Sequence, residues 1–131
     1  MNYFEPHLTL DELRAISAIG LAHMGDAVYE TLVRTWLCVH GKATGKELHR
    51  ATIALVCAQK QAELAQRVLP QLTEEELAVY KRGRNANVHA MPRSATPAQY
   101  HAATGLECLM GWLYLQGNKE RAEQLFHAMM E

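Results

Sequence analysis

AIGLAHMGDAVYETLVRTWLCV, residues 18–39, decides the fold. It reads as one long packed helix, with no alternation of apolar and polar residues that would make it a strand. A single acid, Asp26, stands in the middle of its apolar part. A second stretch, ATGLECLMGWLYL at 103–115, is equally apolar and carries Glu107. An ionised carboxylate in such surroundings costs several kcal/mol unless it is paired, hydrogen-bonded or bound to a cation. Taken singly, each acid could pair with a buried Arg, Lys or His, or lie at a solvent boundary. Taken together, two isolated acids in two apolar helices point to one convergent site. Gly20, Ala22, Gly25 and Ala27 surround the first, and Ala103, Gly105 and Gly111 the second, so the helices can approach closely enough to share an ion. Hard oxygen ligands select magnesium, with manganese as a substitute, over softer metals.

On the same helix, His23 and Glu30 stand three residues before and four after Asp26, on its side of the helix. His23 reads as a packing or hydrogen-bonding residue. Glu30 reads equally as a solvated acid or as a group orienting water at a metal.

Working outward, the punctuation is helical throughout. Thr9-x-x-Glu12, Thr44-x-x-Glu47 and Thr73-x-x-Glu76 are capping-box patterns, and Thr96-Pro97 is a cap followed by proline at the first helical position. Helices are expected near 9–16, 18–39, 45–68 with a break near its start, 74–85, 97–116 and 118–130. Gly41, the Pro70 region and Gly117-Asn118 separate them. The expected architecture is an all-α bundle, one catalytic domain over 1–131. Residues 86–96 form the one long segment without helical periodicity, a length more often functional than incidental.

The chain has 131 residues, 49% hydrophobic and 21% charged, with a net charge of −1. That composition supports a globular core and argues against disorder. No apolar run is long enough for a membrane span, and MNYFEPHLTLDEL does not read as a secretory signal, so a cytoplasmic protein is expected. Cys38, Cys57 and Cys108 are odd in number and widely spaced, and read as buried reduced thiols. No zinc-ligand pair of histidines, glycine-rich phosphate loop or G-x-S-x-G nucleophile motif is present.

The net charge hides a local asymmetry. Between Leu77 and Leu106 there is no acid, while Lys81, Arg82, Arg84 and Arg93 are present with His89 and His101. Such a cluster suits phosphate contacts as well as the C-terminal end of a helix. Lys42, Lys46, His49, Arg50 and Lys60 form a second, thinner patch.

Four segments in order resemble the ribonuclease III catalytic domain, and most closely its short bacterial form, the Mini-ribonuclease III family. They are LAHMGDAVYE (21–30), ELHRATIALVCAQKQAEL (47–64), LAVYKRGRNA (77–86) and ATGLECLMGWLYL (103–115). The resemblance implies a helical endonuclease fold, a homodimer, and magnesium-dependent hydrolysis of double-stranded RNA to 5′-phosphate and 3′-hydroxyl ends. It further implies maturation of 23S ribosomal RNA precursor. By motif position Asp26 and Glu107 would be the catalytic, metal-holding acids. Lys81, Arg82, Arg84, Asn85, His49 and Lys60 would contact RNA. Positions where larger relatives carry further acids read Ile19, Ala22 and Thr104, so only two protein carboxylates would meet the ion. His101 stands where a more basic residue is expected. The competing readings are a non-catalytic module binding double-stranded RNA and a helical protein-interaction domain whose acids are structural.

Overall fold

The computed structural model describes residues 1–87 and 94–131, and every regular element among them is helical. The elements are α1 (Leu10–Arg14), α2 (Ala18–Val39), α3 (Gly45–Val56), α4 (Ala58–Val68), a 3₁₀ turn (Leu69–Gln71), α5 (Glu74–Arg84), α6 (Pro97–Leu115) and α7 (Lys119–Met130). Part of the expected loop, and with it His89 and Arg93, lies outside the described residues.

Helix starts follow the caps. Thr9 and Thr73 form reciprocal capping boxes with Glu12 and Glu76, and Thr96 does so with Gln99 ahead of Pro97. Each such cap is worth about 1 kcal/mol. Thr44 accepts from the backbone N–H of Glu47 without the reciprocal bond, and Ser17 caps α2.

α6 is the axis of the bundle, packed against α2, α4, α5 and α7. From Ala102 to Leu113 every residue is buried except Glu107. α2 meets it with Leu21, Gly25, Tyr29, Val33 and Leu37, a ridge at intervals of four, and turns the opposite face to solvent. α4 buries Gln61, Leu64, Ala65 and Val68, a helical stripe whose first member is polar. α7 adds Ala122, Leu125, Phe126 and Met129. Each large apolar side chain fully buried contributes ~1.5–3 kcal/mol.

The helix expected over 45–68 is two helices, and the interruption falls at its middle, not near its start. Cys57 is extended (φ −65°, ψ 152°), and the last carbonyls of α3 are taken by side chains instead of by backbone. Tyr29 Oη donates to the Leu55 carbonyl at 2.8 Å, and Gln61 Nε2 to that of Val56 at 2.8 Å. Cys57 Sγ faces the Ala54 carbonyl at 3.8 Å.

Three further expectations change. Only Cys108 is a buried thiol; Cys38 and Cys57 are exposed. Glu76, known from sequence only as a capping-box residue, is 5% exposed and also forms a two-pronged ion pair with Arg121, both contacts at 2.9 Å. Asp26 is exposed, at the solvent boundary instead of enclosed in packed helix.

An N-terminal strap crosses the α6–α7 turn. The Leu8 N–H donates to the Leu115 carbonyl, Tyr114 Oη donates to the Tyr3 carbonyl, and Lys119 pairs with Glu5. Gly117 makes that turn at φ +90°, with the His7 ring where a side chain would stand.

Candidate active site

α2 and α6 cross at glycine. A β-carbon on Gly25 would overlap the backbone carbonyl of Glu107, and one on Gly111 the carbonyl of Leu21. Of the small residues noted in the sequence, these two make the crossing. Gly105 instead receives the Tyr80 ring of α5, and Gly20 faces Ile16 and Ser17 of its own chain turn. The backbones are therefore in contact one residue from Asp26 and at Glu107 itself. That contact brings the two carboxyl groups together.

Their proximity shows in the acid–base chemistry. Burial, then the negative charge of Asp26 and a hydrogen bond between the two carboxyls, push Glu107 up to about 8, against the opposing pull of the Gln61 amide. Among the described residues, neither Asp26 nor Glu107 is ion-paired to a lysine or arginine. The alternative in which each acid answers a buried arginine or lysine is absent there.

Gln61 is the part of the site that sequence reasoning missed. It is 2% exposed, and its Nε2 lies 3.3 Å from Glu107 Oε2 and 2.8 Å from the Val56 carbonyl. The Val56 carbonyl can only accept, which fixes the amide orientation: a flipped carboxamide would set oxygen against oxygen there. The amide oxygen, Oε1, is buried with no donor among the described residues. An orphan of that kind costs ~1–3 kcal/mol and marks a place where a donor belongs. The available signal was a glutamine at the first position of the apolar stripe 61, 64, 65, 68, where packing alone would favour leucine.

The remaining expected residues divide. Lys81, Arg82, Arg84 and Asn85 are exposed on the last turn and cap of α5. That turn packs on the part of α6 that bears Glu107, because Gly83 lets Thr104, Gly105 and Cys108 come within about 3 Å of where its β-carbon would be. Arg84 hydrogen-bonds Asn85 at 3.2 Å and lies over the Tyr80 ring at 6.0 Å. Arg82 is close enough to act electrostatically on the neighbouring Cys108, whose thiol burial pushes up to about 11. His49 is exposed on α3, while Lys60 is half-buried and pairs with Glu63 at 3.6 Å. Glu30 pairs with Arg34 at 2.7 Å, and His23 is exposed. His101 keeps a buried Nδ1 with no partner among the described residues.

Among the described residues no group of three or more His, Cys, Asp or Glu side chains could hold a metal. The donor set of the site is two carboxylates. It fits a hard divalent ion that accepts water and phosphate as its other ligands: both protein donors are oxygens, and two facing acids are held together without a counter-charge from the described residues.

An all-helical core with a carboxylate pair at a glycine crossing, flanked by a cationic helix end, falls in the ribonuclease III class: the Ribonuclease III domain family matches residues 20–118. Within it, the chain belongs to the Mini-ribonuclease 3 family and is an endoribonuclease of ribonuclease III type. It is 45% identical to a Mini-ribonuclease 3 of Symbiobacterium thermophilum over 84% of this chain and 85% of that one. It is 42% identical to that of Enterococcus faecalis over 88% and 89%. A crystal structure of a protein from Fusobacterium nucleatum superposes with a TM-score of 0.82 at 28% identity, covering 91% of this chain and 95% of the other. No described helix is long and apolar enough to cross a membrane.

Proposed function

We propose that this chain hydrolyses double-stranded RNA with magnesium held by Asp26 and Glu107, leaving 5′-phosphate and 3′-hydroxyl ends. The observation that carries the reading is the meeting of these two carboxyls across the Gly25–Gly111 crossing, with no basic partner among the described residues. When bound, magnesium supplies charge neutralisation at the phosphate and lowers the pKa of water. Asp26, on the exposed side, is the acid that RNA approaches. Glu107, set deeper in α6, is the rigid half of the pair, since its neighbours on both sides are packed. Lys81, Arg82 and Arg84 bind backbone phosphates, with Asn85 as a neutral donor, because A-form duplexes are recognised by shape, phosphate and 2′-hydroxyl. His49 and Lys60 form an outlying contact.

The same reading includes a homodimer, in which two sites address the two strands. The family resemblance points to precursor 23S ribosomal RNA as substrate and the cytoplasm as its place of action.

Incubating a long RNA duplex with the wild type and with Asp26→Asn, in magnesium and in chelator, tests the proposal. The wild type should cut only with magnesium, and the variant should bind without cutting. Cleavage by Asp26→Asn would remove the assignment, and binding indifferent to magnesium with no product would favour the non-catalytic module.

A further inference from the structure

We infer that Gln61 is the positioning residue of the acid pair, clamping Glu107 through one carboxamide hydrogen while its amide oxygen accepts a hydrogen bond from water drawn in when a divalent ion binds. This rests on the two-carboxylate reading above and adds to it a third, uncharged member.

The geometry assigns each atom a task. Nε2 spends one hydrogen on the Val56 carbonyl at 2.8 Å and the other on Glu107 Oε2 at 3.3 Å. The first bond is anchored on backbone released by the break at Cys57, so the amide plane cannot swing with a mobile loop. The second holds one oxygen of Glu107, the acid whose carboxyl meets Asp26. Oε1, in a residue 2% exposed, has no hydrogen-bond donor among the described residues. A leucine would fill this position in the stripe without leaving an unpaired polar atom, so packing alone does not account for glutamine. A hydrated cation supplies the missing donor, because its water hydrogens point outward toward acceptors. Among the described residues no third His, Cys, Asp or Glu joins the pair to take that role.

The test uses Gln61→Met, of similar length and flexibility, with Gln61→Leu as a second apolar variant. Manganese binding to the RNA-free protein, followed by electron paramagnetic resonance, should weaken ~10–100-fold. The magnesium concentration for half-maximal cleavage should rise by the same factor, and RNA affinity should stay within about twofold of wild type, since Gln61 is buried away from solvent. A purely structural role would instead lower the melting temperature and the rate at every magnesium concentration. In wild type labelled with ¹⁵N-glutamine, magnesium should shift one carboxamide resonance that is missing from Gln61→Met and silent in Asp26→Asn. If both substitutions fold poorly, the contact of that carboxamide with the Val56 backbone assigns it in the wild type, and its response to magnesium is still read there. Unchanged manganese affinity in a folded Gln61 variant, or a carboxamide signal blind to magnesium, would overturn this inference while Asp26→Asn remained inactive. Failure of the wild type itself to bind manganese would overturn the acid-pair reading and this inference with it.

Discussion

Gly25 and Glu107 touch backbone to backbone, and the space a methyl group would need at Gly25 is occupied by the Glu107 carbonyl oxygen. No rotamer change relieves that overlap, because both atoms belong to helix backbones. Gly25→Ala must therefore push α2 away from α6, at a cost of about 3 kcal/mol or more. The expected result is a melting temperature lower by roughly 10 °C and loss of cleavage even where the protein stays folded. Gly45→Ala, where nothing lies within 4 Å, is the control and should leave both unchanged. Differential scanning calorimetry and a cleavage assay compare the two.

The raised Glu107 makes stability depend on pH with a definite sign. Its carboxyl titrates at 4.5 in the unfolded chain and at about 8 in the fold, so between these values the folded state holds a proton that the unfolded chain has released. Folding stability contributed by this group is complete below pH 4.5 and is lost as pH rises toward 8. Glu107→Gln should flatten that decline and melt higher than wild type at about pH 8 without magnesium. Magnesium should raise the wild-type melting temperature more at about pH 8 than at about pH 5.5, because binding displaces the proton. Equal shifts at both values would contradict the assignment.

Arg121 holds the start of α5 to α7. Besides gripping both oxygens of Glu76, it donates to the Gln71 carbonyl at 2.9 Å and to Gln124 at 2.7 Å. Arg121→Met leaves Glu76 buried and unpaired, a loss of about 3 kcal/mol, while cleavage well below the melting transition persists. The Arg121 guanidinium holds the Glu76 carboxyl below its usual range. The pair therefore contributes above pH 4.5 and loses its contribution as pH falls. The melting gap between variant and wild type should narrow on acidification.

Lys81→Ala, Arg82→Ala and Arg84→Ala should each weaken RNA binding and lower the slope of log affinity against log salt by about 1. The cleavage rate at saturating RNA should hold. Lys60→Ala should do less, since Lys60 already answers Glu63. A salt series in a filter-binding assay separates these cases.

Helix starts and the acid pair are legible in the sequence because they depend on local chemistry: Thr9, Thr73 and Thr96 cap their own N-termini, and Asp26 and Glu107 are conspicuous against apolar neighbours. What stays hidden depends on partners distant in the chain. The break at Cys57 has no proline or glycine to announce it; it exists because Tyr29 and Gln61 take the carbonyls of α3. The ion pair of Glu76 is hidden for the same reason, its partner lying 45 residues away. The exposure of Asp26 is unreadable because an apolar sequence does not say which side of a helix faces out.

The extended residue between α3 and α4 has a practical consequence for anyone stabilising this enzyme. Rewriting 56–58 with strong helix formers would count as an improvement by local propensity, and a continuous rod through 45–68 would satisfy its own backbone. It would also take back the carbonyl that Gln61 holds, freeing the amide from its anchor. Thermal robustness gained there would be exchanged for catalytic competence, so that kink is the last place to idealise.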